Sequence, residues 1–252
     1  SPAKRAGWAN NLAVAFGCAG DREAACERAQ EAVELYHQLA AQLPEAFQAG
    51  LAMSLNNLAN GLSDLGQHEA ACERGHEAVE LRRQLAAQWP EVFQADLATS
   101  LNNLAAMLSA LGQHKAACER TQEAVELRHQ LAAQRPEVFQ ADLAMSLNNL
   151  AAMLSALGQH EAACERAQEA VERYRQLAAQ RPEVFQADLA VSLTNLAKML
   201  SDLGQHEAAC ERAQEAVERY RQLAAQRPEV FQADLATSLN TLANMLSELG
   251  QR

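Results

Sequence analysis

Between Pro90 and Pro136 the apolar residues Phe93, Leu97, Leu101, Leu104, Leu108 and Leu111 follow spacings of 4, 4, 3, 4 and 3, which traces one stripe along an α-helix. At about 100° per residue with Leu97 at zero, Leu101, Leu104 and Leu108 fall at about 40°, 340° and 20°, whereas Thr99, Asn103, Ala106 and Ala110 fall at about 200°, 240°, 180° and 220°. The leucines form the core edge and the second set lies opposite it. Pro90 suits a first helical turn, where its missing N–H costs nothing, and Glu91 favours the positive end of the dipole. Trp89 and Arg135 are poor N-caps. Gly112 ends the helix as a residue free to turn left-handed. A second helix is predicted from about His114 to Gln134, with Ala117, Cys118, Thr121, Ala124, Val125 and Leu131 inward and Arg128 on the outer face. Small inward residues let the two helices approach closely. Helices of roughly 20 residues joined by only a few must lie antiparallel.

This unit recurs. Gly20, Gly66, Gly112, Gly158, Gly204 and Gly250 stand 46 residues apart, and the segments 137–182 and 183–228 differ only at Met145/Val191, Asn148/Thr194, Ala152/Lys198 and Ala156/Asp202. A strict period of that length signals a solenoid or array, in which like groups lie in rows rather than converging on a catalytic point. The expected architecture is all-α, an antiparallel helix-hairpin solenoid of about eleven helices. It runs as a single tandem-repeat array over 1–252, with copies at about 1–43, 44–89, 90–135, 136–181, 182–227 and a partial copy at 228–252. The chain opens at Ser1 without methionine and stops just past a repeat glycine, so it reads as a fragment of a longer protein.

Composition narrows the function classes. A net charge of −11 lacks the basic stripe that nucleic acid or an anionic membrane surface requires, and no run approaches the 18 apolar residues of a membrane span. Alanine and arginine richness with only three lysines (Lys4, Lys115, Lys198) points to a GC-rich bacterial source. Cys26, Cys72, Cys118, Cys164 and Cys210 share one slot of the repeat and Cys18 stands alone. Equivalent atoms in stacked hairpins lie about 10 Å apart, beyond the roughly 7 Å that a disulfide tolerates, so six thiols in a cytoplasmic compartment are expected. His and Cys recur four residues apart at 68/72, 114/118, 160/164 and 206/210, a legitimate metal-ligand spacing. Pairs so far apart do not complete a four-ligand site, so no metal, cofactor or catalytic residue is assigned.

The run Leu55, Asn56, Asn57, Leu58, Ala59, then Leu62, Gly66, Ala71 and Ala78 resembles a tetratricopeptide repeat. The Leu-Asn-Asn-Leu-Ala doublet followed by Gly-Gln-His-Glu-Ala-Ala is similar to the lengthened repeats of kinesin light chains. That resemblance implies a right-handed superhelix whose concave groove is lined by the first helices, with asparagines bonding an extended peptide backbone. The chain departs from the family in its period, and in carrying His68, His114, His160 or His206, then Gly75, Thr121 or alanine, where aromatics are expected.

The candidate groove residues are Asn57, Asn103, Asn149 and Asn195, with Asn60, Lys198, Met53 and Met145. Slots that vary among the copies share that face: Met53/Thr99/Met145/Val191/Thr237, Asn60/Ala106/Ala152/Lys198/Asn244 and Asp64/Ala110/Ala156/Asp202/Glu248. Either a tuned ligand surface or neutral drift produces such variation, and the asparagines serve equally as an inter-repeat ladder. With Lys198 its only lysine, the face disfavours an acidic peptide and suits a neutral or mildly basic one. The expected function is a non-enzymatic scaffold or sensor module binding a polypeptide, with self-association of the array as the alternative.

Overall fold

The computed structural model describes residues 1–250. Eleven helices follow one another: α1 Pro2–Cys18, α2 Arg22–Gln42, α3 Pro44–Asp64, α4 His68–Gln88, α5 Pro90–Ala110, α6 His114–Gln134, α7 Pro136–Ala156, α8 His160–Gln180, α9 Pro182–Asp202, α10 His206–Gln226 and α11 Pro228–Gly250. No strand occurs among the described residues. The odd-numbered helices are the first helices of the repeats and the even-numbered ones the second. Two compact units divide the chain at Leu127/Arg128.

The two kinds of corner have separate causes. After α5, the Gly112 N–H donates to Ser109 O and the Gln113 N–H to Leu108 O, each at 2.9 Å, with Gly112 at φ 71°. That pair of bonds caps the helix only with a left-handed residue at its centre, which glycine adopts without a Cβ clash. Gly250 instead closes α11 as its last helical residue. The other corner is one residue long. Arg135 is both the C-cap of α6, donating its N–H to Leu131 O at 2.9 Å, and the N-cap of α7 with φ −139° and ψ 74°. Pro136 pushes the residue before it out of the helical region and then opens the next helix.

Each unit holds its own core. In the first, Ala13, Ala29, Val33, Leu51, Leu55, Leu58 and Ala78 cluster. In the second, Ala144, Ala167, Leu189, Leu193, Ala197, Ala213 and Met245 belong to a larger cluster. Leucines of the first helices press into the small residues of the second, filling the space that aromatics would otherwise occupy. A Cβ added to Gly75 would stand 3.1 Å from the Met107 sulfur and 3.2 Å from Leu104 Cδ1. Burying each such leucine contributes on the order of 1.5–3 kcal/mol.

Candidate protein-interaction face

The first helices present an exposed face in both units. On α3 and α5 it carries Met53, Asn60, Asp64, Thr99, Ala106 and Ala110; on α7 and α9 it carries Met145, Asn149, Ala152, Val191, Lys198 and Asp202. Met53 and Met145 are 40% and 43% exposed, so two flexible apolar side chains stand open to solvent. Between α3 and α5 a shallow depression of about 390 Å³ is lined by Asn60, Ser63, Asp64, Asn103, Ala106 and Met107.

The asparagines divide between this face and the inter-repeat seam. Asn57 Nδ2 donates to Asn10 Oδ1 at 2.9 Å, and Asn103 Nδ2 donates to Asn56 Oδ1 at 3.3 Å. The second asparagine of one repeat therefore holds the first asparagine of the repeat before it. Asn57, Asn103 and Asn195 are half-buried, Asn149 is exposed, and Asn10 and Asn102 are buried. Asn148 donates to the Ser192 hydroxyl instead. Each amide keeps further hydrogen-bonding capacity beyond one such bond.

Arg128 is not on the outer face. Its side chain is 2% exposed, and Nη1 donates to Asp142 O and to Ser146 Oγ, both at 2.7 Å. Position 128 falls between Val125 and Leu131 at helical spacing, so the backbone turns the guanidinium inward whatever its charge. Arg82 occupies the same slot at 7% exposure and donates to Asp96 Oδ2 at 2.6 Å. Burial pulls both guanidinium groups below their ordinary range, against the opposing pull of Asp142 and Asp96. Tyr174 and Tyr220 fill the slot in the next two repeats. Burial first, then nearby aspartates, push the Tyr220 phenol up to about 12 and Tyr174 further still. In the first repeat the slot holds Tyr36, whose ring reaches Gly50 so closely that a Cβ there would lie 2.5 Å from Cε1. The tyrosines aligned with Arg128 were the signal in the sequence that this slot faces inward.

The second helices carry a charged row. Glu77 is held by Arg74 at 2.9 Å and approached by His37 at 3.2 Å; Glu123 by Arg120 at 3.3 Å and Arg83 at 2.6 Å. In the second unit, Glu215 receives Arg212 at 3.2 Å, Arg219 at 3.0 Å and Arg175 at 2.6 Å. Partial burial raises the Glu215 pKa, but hydrogen bonds from Arg219 and Arg175 outweigh it and leave the carboxyl below its ordinary range.

All six cysteines are free thiols; Cys72, Cys118, Cys164 and Cys210 are buried, and burial pushes their thiols up. Two of the histidines ahead of them, His160 and His206, approach acidic groups of the next first helix. His160 Nδ1 lies 4.0 Å from Asp202 Oδ2 and His206 Nδ1 lies 3.5 Å from Glu248 Oε2. Among the described residues no group of three or more His, Cys, Asp or Glu side chains is placed to hold a metal ion. No described helix is long and apolar enough to cross a membrane.

Stacked helical hairpins with a small-residue second helix and a turn glycine define a helical-repeat protein of the kind that mediates protein–protein contacts. The chain belongs to the tetratricopeptide repeat family: profiles described as tetratricopeptide repeat match residues 5–40, 51–86, 97–132 and 142–222. BtubC (BKLC) from P. vanneervenii shares the fold at 21% identity and a TM-score of 0.70, over 89% of this chain and 83% of that one. The nearly identical TPR-like repeats of a kinesin-light-chain-type protein from Podosopora anserina match at 21% identity and a TM-score of 0.64, over 90% and 98%. A Rap protein complexed with Competence and Sporulation Factor matches at 17% identity and a TM-score of 0.58, over 98% and 65%. No curated protein matches the chain in sequence.

Proposed function

We propose that the chain is a non-catalytic scaffold or sensor module, working in the cytoplasm as one repeat array, that binds a polypeptide segment along the exposed face of its first helices. The observation that carries this reading is the contrast between slots. The buried leucine and alanine positions repeat almost unchanged, whereas the varying slots Met53/Thr99/Met145/Val191 and Asn60/Ala106/Ala152/Lys198 are exposed in α3, α5, α7 and α9. Variation at the solvent-facing slots of that face is what tuning for a ligand produces. Asn149 is free to bond an extended backbone, Asn57, Asn103 and Asn195 offer their remaining amide capacity, and Met53, Met145 and Val191 supply apolar contact. With Lys198 the only lysine among these slots and Asp64 and Asp202 acidic, the face favours a neutral or mildly basic segment. That a Rap protein of related fold is complexed with Competence and Sporulation Factor supports the same use of the scaffold.

The test selects binders from a displayed random-peptide library and measures their affinity for variants. Met145→Glu or Asn149→Ala should weaken binding, the latter by roughly 2-fold to 12-fold for a lost hydrogen bond of about 0.5–1.5 kcal/mol. Peptides whose affinity depends on Glu77 or Glu123 of the charged row, and not on Met145, would refute the assignment.

A further inference from the structure

Three corners of the second unit carry an arginine with no carboxylate to meet. Arg135, Arg181 and Arg227 stand at the one-residue corners before α7, α9 and α11, all exposed, and among the described residues none has an acidic partner. The other surface arginines of that unit, Arg166, Arg173, Arg175, Arg212, Arg219 and Arg221, each lie 2.6–3.7 Å from a carboxylate. The corner guanidinium groups are nonetheless held in place, over the rings of Phe139, Phe185 and Phe231 at 5.2, 4.8 and 4.9 Å. Two residues after each comes an exposed glutamate, Glu137, Glu183 or Glu229, and then an exposed valine, Val138, Val184 or Val230, at 45%, 49% and 50%. Depressions of about 550 and 420 Å³ separate the corners, the first lined by Glu137 and Arg181 and the second by Glu183 and Arg227. Among the described residues these opposite charges face a common hollow and do not pair.

We propose that this edge of the second unit pairs with the same edge of a second copy of the chain, antiparallel, about a two-fold axis beside Pro182. Charge selects that occupant and that direction. The axis sets Arg181 against Glu183 of the copy, and Glu183 against Arg181 of the copy. Because the corners recur every 46 residues, the same axis carries Arg135 onto Glu229 of the copy and Glu137 onto Arg227. Every unmatched corner arginine then meets an unmatched glutamate, and the prolines and valines fill the seam between them. A two-fold contact uses one surface twice, and this surface is its own complement. Guanidinium groups already stacked on phenylalanine lose little freedom when they bind a carboxylate. The first unit offers no such edge, since Leu43 and Trp89 hold the arginine slot while Glu45 and Glu91 remain. Exposed ion pairs each contribute modestly, so the association belongs to the weak, salt-sensitive class.

Sedimentation velocity of the full chain from micromolar to near-millimolar concentration tests this, with far-UV circular dichroism as the control for folding. The mass should rise from 27.4 kDa toward twice that value in about 0.05 M salt and fall back in about 0.5 M salt. Arg181→Glu and Glu183→Arg should each weaken association about tenfold by setting like charges across the axis. The two together should restore it, because the exchanged charges still complement each other. Glu183→Arg leaves Arg181 over Phe185, so it carries the test alone if Arg181→Glu lowers helicity. Glu45→Gln with Glu91→Gln should leave association unchanged. A monomer throughout the range overturns the proposal, as does association indifferent to salt, a Glu183→Arg chain that associates as before, or a double reversal that fails to rescue. Loss of association in the Glu45 and Glu91 variant would place the contact on the first unit and overturn it equally.

Discussion

At Arg128 the residue type and its position pull in opposite directions, and position wins. An arginine reads as solvent-facing by charge, yet the helix delivers it to the core, where Asp142 O and Ser146 Oγ receive it. Arg128→Ala should therefore destabilise by about 2–4 kcal/mol, combining a cavity with unpartnered acceptors. Arg128→Tyr, which copies the next repeat, should cost less than half of that, and urea titrations of the two variants check the order. The cysteines are equally positional. Under native conditions Cys18, the only fully exposed thiol, should alkylate fast, and the four buried thiols only as the chain opens. Timed alkylation read by mass spectrometry shows this as one early adduct.

At the scale of the element, the single-residue corner and the glycine corner set how the helices turn back. Gly112→Ala forces a Cβ into a conformation with φ 71°, which should cost about 1–2 kcal/mol and lower the melting temperature, though no neighbouring atom lies within 4 Å of the added carbon. Gly50→Ala fails for the other reason, a collision with the Tyr36 ring, and Tyr36→Leu in the same chain should relieve it. Helix limits such as His114–Gln134 were legible because each end is written in local chemistry, a proline, a glycine or a histidine at fixed distance. The asparagine seam was legible only as one of two alternatives, a ligand-binding row or an inter-repeat ladder. Asn57 and Asn103 sit opposite the leucines on a helical wheel, and only the stacking of one hairpin on the next brings Asn10 and Asn56 within hydrogen-bond reach.

At the scale of the whole molecule, the charged row makes stability depend on pH. The Glu215 carboxyl lies below its ordinary range in the folded chain, so its contribution is complete above the unfolded value of about 4.3 and is lost as pH falls through the lower folded value. Thermal melts should show falling stability below about pH 5. Glu215→Gln should flatten part of that slope while costing only about 0–1 kcal/mol at neutral pH, since the row is partly solvent-screened. The repeat made the fold class legible from sequence, because a strict period of that length is built only by stacking one supersecondary unit on the next.

The ties between repeats span constant distances along the chain. Asn57 reaches back 47 residues to Asn10 and Asn103 reaches 47 back to Asn56; Arg83 reaches 40 forward to Glu123 and Arg175 reaches 40 forward to Glu215. Excising or duplicating 46 consecutive residues keeps this register across the new junction. Unequal recombination within the gene therefore yields chains that still fold, so the number of copies is inherited as a coarse variable and the few divergent slots as a fine one.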